Sequence, residues 1–260
     1  MKHLLLTTIA AVVLVGCGPS ETEIALKYAK GILLTLVLII VVFVVPPLLM
    51  LRYDKKRTNQ LARIASDLKL SFNPECRKTI FESISFGIFN YGRVYNMMHG
   101  EVDNAEFAIF DHKYKTSGSG DNPGSTYEQT AIYFKSTNLK LPRFTLSPED
   151  LWDKIGSAFG NQDIDFPTHP DFSKRFLLRG EDETKIRALF TDKLLNFFNS
   201  QQNITVEGGG NQLILYRDEK RISPPILPDY FFFKGEKLAK EWQSFIDQGF
   251  QFFNEFVGSD

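Results

Sequence analysis

Three clusters and one lone thiol in this chain carry side chains that could do chemistry. Asp111-His112 ends an apolar stretch, with His99 on the segment before it, and such groups could build a metal or acid/base site if they met on one face. Neighbours on a strand point to opposite faces, so Asp111 and His112 are not expected to share a site. Asp163-Ile164-Asp165-Phe166, with His169 and Asp171, gathers three acids and an imidazole in nine residues. Its oxygens could hold a divalent cation, but it lacks the glycine and closing glutamate of a calcium loop, and a connection with Ile164 and Phe166 inward is the simpler account. Lys174-Arg175 and Arg179 stand near Glu181-Asp182-Glu183 and could read an anion, although mixed signs at this density usually form a salt-bridged surface. Cys76 is a single thiol with no local signature. The sequence has no GxxxxGK, GxGxxG, HExxH, CxxC pair or GxSxG. No cofactor is therefore expected, and His112, Asp163, Asp165 and His169 are the metal candidates.

The elements that would have to position these groups begin with a hydrophobic run. Gly31 to Leu51 is 21 residues without a charge, bounded by Lys30 and Arg52. At about 1.5 Å per residue that spans a hydrocarbon core of about 30 Å, so residues 31–51 read as a transmembrane helix. Pro46-Pro47 predicts a helix that breaks on reaching the headgroups, or a hinge there. The flank after the run holds Arg52, Lys55, Lys56, Arg57, Arg63 and Lys69 against two aspartates, whereas Glu21 to Lys30 is balanced. Positive flanks stay in the cytoplasm, which places the following domain inside and Arg52, Lys55, Lys56 and Arg57 at the lipid headgroups.

Before that run, Lys2 and His3 precede an apolar stretch from Leu4 to Val15, too short to span and of signal-peptide length. Leu14-Val15-Gly16-Cys17 then resembles the lipobox of bacterial lipoproteins. The resemblance implies that Cys17 is acylated after removal of the leader. The organisation expected is a leader and lipobox at 1–17, a short extracytoplasmic segment at 18–30, the membrane helix at 31–51, a basic juxtamembrane helix at 52–70 and a soluble domain at 71–260.

From Arg52 onward the chain has 27 Lys+Arg against 29 Asp+Glu, which argues against a nucleic-acid partner. Its 24 Phe, with nine Tyr and two Trp, supply the apolar area of a packed core. Leu61, Ile64, Ala65 and Leu68 lie on one helical face. Phe72 to Glu75 reads as a turn, Asn96 to Gly100 as another, and Val94–Met98, Glu101–Tyr114 and Tyr127–Ser136 as strands of a sheet with one wetter face. Lys115 to Ser125 is a loop joining the last two. Ser147-Pro148-Glu149-Asp150 predicts a helix over Pro148–Ala158. Asp171 to Gly180 reads as a strand, followed by helices from Asp182 and, capped by Thr191, over Asp192–Asn199. Gly208-Gly209-Gly210-Asn211 predicts a hairpin. A last helix, Gly235–Phe256, presents Leu238, Trp242, Phe245, Ile246, Gly249, Phe253 and Phe256 as one stripe. The fold class expected is α+β, an antiparallel sheet flanked by amphipathic helices, after one transmembrane helix.

The stretches Gln162 to Phe166, Phe172 to Gly180 and Val206 to Arg217 together resemble bacterial membrane-anchored proteins of unknown function, a resemblance that brings no activity, cofactor or partner. The functional expectation is a binding or scaffold module tethered at the bacterial inner membrane, touching the bilayer and a protein or peptide partner. The alternative is an unrecognised hydrolase or metal-dependent enzyme using His112, His169, Asp163 or Asp165.

Overall fold

The computed structural model describes residues 19–76, 86–89, 92–115, 124–149, 163–218, 220–222 and 232–258. The chain divides into two compact units, Met1–Lys56 and Arg57–Asp260.

From the first unit, α1 (Pro19–Ile39) passes through a π-helical turn (Ile40–Val44) into α2 (Val45–Asp67), whose residues from Arg57 on belong to the second unit. Among the described residues this is the one helix long and apolar enough to cross a membrane, with a mean hydropathy of 3.1 over its most apolar stretch. Ile32, Leu34, Leu38 and Phe43 are all exposed along it. Pro46 and Pro47 do not break it, as the sequence suggested they would. The amide of Val45 bonds to the carbonyl of Ile40, five residues back. That wider turn just before the prolines relieves the clash a proline ring makes with the preceding turn.

In the second unit, eight strands form one antiparallel sheet in the order β1-β2-β3-β4-β8-β7-β5-β6. They are β1 (Ser71–Glu75), β2 (Arg93–Val102), β3 (Ala105–Lys115), β4 (Thr126–Ser136), β5 (Leu141–Pro148), β6 (Phe176–Gly180), β7 (Thr205–Gly210) and β8 (Gln212–Tyr216). The helices are α3 (Pro170–Ser173), α4 (Glu183–Leu189), α5 (Asp192–Asn199) and α6 (Phe232–Val257), and the fold is α+β.

One face of the sheet carries Phe107, Ile109, Ile132, Phe134, Phe144, Leu178 and Val206, packed with Leu61 and Ala65 of α2, Phe190, Phe198 of α5 and Phe252 and Phe256 of α6. Rings meet throughout: Phe198 lies 5.5 Å from Phe252, and Phe134 5.1 Å from Phe253, centroid to centroid. Burying each such ring contributes about 1.5–3 kcal/mol, so this layer is the main source of cohesion. The other face is not the wetter one expected. Val94, Met97, Ala108, Phe110, Ala131, Tyr133 and Ile214 form a second apolar cluster there, with Phe86 and Ile88 laid over them.

Several expected boundaries move. Phe72 to Glu75 is the edge strand β1 and not a turn, because an edge position tolerates the missing amide of Pro74. Asn96 to Gly100 lies within β2. Asn96 adopts φ +53° beside a register shift between Tyr95 and Met98, while the turn itself is Asp103-Asn104 with φ of +49° and +63°. Ser147 and Pro148 end β5, opposite Leu177 and Phe176, so the helix cannot start at Pro148. Glu149 already has 3-10 helical backbone, one residue after the expected start, and residues 150–158 of that helix fall outside the described residues. Asp171 to Ser173 belongs to the helical turn α3, and only Phe176 onward is strand. The β3 to β4 hairpin, the β7 to β8 hairpin with Gly210 at φ +56°, and α4, α5 and α6 stand where they were expected.

Candidate functional site

Arg57, Leu61 and Ala65 recur every four residues, so they share one face of α2, and that face packs on the sheet. The guanidinium is thereby carried inside, with 1% of the residue exposed. On β3, Asp111 alternates in phase with Phe107 and Ile109 and faces the same side. The two meet as a fork: Nε donates to Oδ2 at 2.7 Å and Nη2 to Oδ1 at 2.6 Å. Nη1 donates to the carbonyl of Ile222 at 2.6 Å. Asn96 Nδ2, aimed by its left-handed backbone, donates to Asp111 Oδ2 at 3.0 Å. Thr130 Oγ1 donates to Oδ1 at 3.2 Å and accepts the Ile222 amide at 3.0 Å. Thr58 Oγ1 donates to Asn96 Oδ1 at 2.8 Å. Four hydrogen bonds thus occupy the two oxygens of this carboxylate. The arrangement is a polar clamp that joins α2, β2, β3, β4 and the segment after β8.

Beside the clamp, Glu128 lies 2.7 Å from Lys113 Nζ and 2.5 Å from Arg221 Nη1, which also donates to the Tyr95 hydroxyl at 3.1 Å. Burial pushes the Glu128 carboxyl up, but Lys113 and Arg221 outweigh it and hold it below its ordinary range. Burial, then the charges of Asp111 and Glu128, drive the Tyr95 phenol well above its usual value. His112 points to the opposite face, as strand alternation requires, and stacks on Tyr114 at 5.6 Å.

The expected metal residues do not converge. His112 is on β3, whereas Asp163 and Ile164 run along the outer edge of β6, which is itself five strands from β3 in the sheet. Asp163 Oδ1 accepts the amide of Leu178 at 3.0 Å, and the Ile164 amide bonds to the Leu178 carbonyl at 2.8 Å. Asp163 therefore closes the β6 edge, and burial pushes its carboxyl up. Asp165 exposes its side chain and accepts Arg187 Nη1 through its carbonyl at 2.7 Å. His169 Nδ1 is 3.0 Å from Thr168 Oγ1 and 3.8 Å from Asp192 Oδ1. Among the described residues no group of three or more His, Cys, Asp and Glu could hold a metal ion.

Most of the basic and acidic residues near β6 pair locally, while Arg179 is buried in β6. Arg175 donates to the carbonyls of Asn199, at 2.6 Å, and Gln201. Glu181 meets Arg143 at 3.0 Å, Glu183 meets Arg187 at 2.7 Å, and Asp182 accepts the Lys185 amide as the cap of α4. Cys76 Sγ lies 3.6 Å from Met97 Sδ, and burial pushes its thiol up. Cys17 lies outside the described residues. Arg52, Lys55 and Lys56 are exposed, as headgroup contact requires, but Arg57 is not. Its expected place at the headgroups is corrected by its four-residue phase with Leu61 and Ala65, a signal the sequence already held. Glu207, buried on the second sheet face, was not singled out. A lone acid between Val206 and three glycines gives no warning of its partners.

No protein-family model matches the chain, and no curated protein does. Among solved structures, the crystal structure of the mycobacterial trehalose monomycolate transport factor A, TtfA, is similar over 80% of this chain and 96% of that one, at 10% identity and a TM-score of 0.41. A likeness at that level transfers nothing from that protein to this chain.

Proposed function

We propose that this chain is a non-catalytic binding or scaffold module, anchored at the bacterial cytoplasmic membrane with its α+β domain in the cytoplasm. One observation carries the reading: the helix that is long and apolar enough to cross a membrane continues, as α2, into residues that are core of the folded domain. An anchor whose last turns are part of the fold serves position better than mere attachment. The basic excess after the span favours the cytoplasmic side, and exposed Arg52, Lys55 and Lys56 suit contact with anionic headgroups. Cys17, acylated at the outer face, would add a second anchor. The partners of this reading are the bilayer and a protein or peptide, not a nucleic acid.

The test is a pair of C-terminal reporter fusions, one active only in the cytoplasm and one only outside. Signal from the cytoplasmic reporter alone is expected, and signal from the outer one alone overturns the topology. Mass analysis of the mature N-terminal peptide checks Cys17, where an unmodified, uncleaved leader removes the lipid anchor.

A further inference from the structure

Within the folded domain, α2 enters beside Asp111 and runs away from it. Arg57 is bonded to Asp111 and Thr58 to Asn96, whereas Leu70 already reaches Gly100, where a Cβ would come within 2.7 Å of its Cδ2. The chain before Arg57 therefore leaves from the Asp111 end of the sheet. Six positions separate Arg57 from Leu51, the last residue of the apolar run, so at most about 22 Å of chain lies between them. That end of the sheet is basic. Arg93 stands opposite Lys113 in register, Lys113 and Arg221 flank Glu128, Lys115 closes β3, and Lys220 follows β8. Arg93, Lys115 and Lys220 are exposed, Arg93 with its guanidinium 5.4 Å over the Tyr95 ring. Among the described residues, Asp111 and Glu128 are engaged by Arg57, Lys113 and Arg221, and Asp218 offsets Arg217. The exposed acids there are Glu75, opposite Tyr95, and Glu241, which shares a small cavity with Lys220. Cations still outnumber acids. The opposite end, at the Asp103-Asn104 turn, exposes Glu101, Asp103 and Glu106, the last paired with Lys135 at 3.2 Å.

We propose that this sheet end is a bilayer-docking surface, on which Arg93, Lys115 and Lys220 rest against the anionic headgroups of the leaflet from which the chain emerges. The inference rests on the anchoring proposed above and adds the domain's own surface to it. A free domain with so small a basic excess would not stay on a membrane, because each exposed cation gains little there and salt screens it. A domain tied to the bilayer by six residues is different. Its effective concentration at the surface is already high, so a modest attraction decides how it sits. The acids at the Asp103 end are repelled by the same leaflet, so charge turns that end away while it draws the Arg93 end in.

Lysine acylation on the full chain in nanodiscs tests this, with a water-soluble succinimidyl ester and rates read residue by residue from peptide mass. The discs are phosphatidylcholine alone or mixed with phosphatidylglycerol. Lys115 and Lys220 should react at least about threefold more slowly on the anionic discs and recover in high salt, while Lys135 and Lys140, exposed toward the other end, keep one rate. Equal rates at Lys115 and Lys220 on the two discs overturn the docking. Slowing that appears on neutral discs and grows with the number of chains per disc marks contact between copies and also overturns it. Lys55 and Lys56 separate this failure from failure of the anchor. If they react more slowly than Lys140 on both discs, the anchor stands whatever Lys115 and Lys220 do. If they do not, or if the chain does not co-elute with the discs, the anchor falls and the docking with it.

Discussion

Arg57 and Asp111, 54 positions apart, share two parallel hydrogen bonds of 2.7 and 2.6 Å inside the domain. Each is 1% exposed, so water supports neither charge if the other is lost. Asp111→Ala should therefore cost about 3–5 kcal/mol of stability by stranding a buried guanidinium. The paired change Arg57→Met with Asp111→Leu should recover part of that loss, since an apolar pair leaves no orphan charge but takes a partner from Asn96, Thr130 and the Ile222 carbonyl. Chemical denaturation of the full chain in detergent measures both. A double variant no better than the single would show that the loss does not come from the stranded charge.

The sheet-facing side of α6 is fitted at Gly249. A Cβ there would come within 2.7 Å of Ile132 Cδ1 on β4. Gly249→Leu should cost about 1–3 kcal/mol through overpacking, whereas Gln243→Leu, on an exposed turn of the same helix, should change stability little. Thermal denaturation of the two variants side by side compares the positions.

Cys76 is half-buried and its thiol is pushed up by that burial, which leaves little thiolate at neutral pH. Alkylation localised by peptide mass should be slower at Cys76 than at a thiol placed at exposed Ser66, and the gap should narrow as pH rises. Faster alkylation at Cys76 would point to an activated thiol.

Arg52, Lys55 and Lys56 are the first exposed cations after the apolar run. Replacing all three with Gln should move part of the C-terminal reporter signal to the outer side, and adding lysines before Gly31 should move more of it. Orientation unaffected by either change would separate topology from this cluster.

How much of this was legible depends on whether a residue's surroundings are local. The α6 stripe from Trp242 onward, the start of α5 after Thr191 and the Gly-rich hairpin follow from spacings of a few positions and stand as read, although Thr191 holds the cap position without a side-chain hydrogen bond. Pro74 and Pro148 misled because proline marks turns and helix starts by its own covalent limits. Both lie in strands, where the position in the sheet decides what is tolerated. Asn96 read as a turn for a sound reason, its left-handed backbone, but that backbone serves a bulge that delivers an amide to Asp111. By its charge Arg57 reads as a surface cation, and only its four-residue phase with Leu61 and Ala65 marks it as buried. The distance between His112 and Asp163 could not be read at all, because it depends on β5 entering the sheet between β7 and β6.

The two sheet edges have a consequence for the anchoring proposed above. At one end, β1 is five residues long and carries a proline that has no amide to offer. At the other, Asp163 and Ile164 occupy the Leu178 amide and carbonyl of β6. Copies held on one surface collide far more often than copies free in solution, and a bare strand edge would let them zip into fibres. With one rim occupied and the other short and interrupted by a proline, copies anchored as proposed can be crowded and stay available for other encounters.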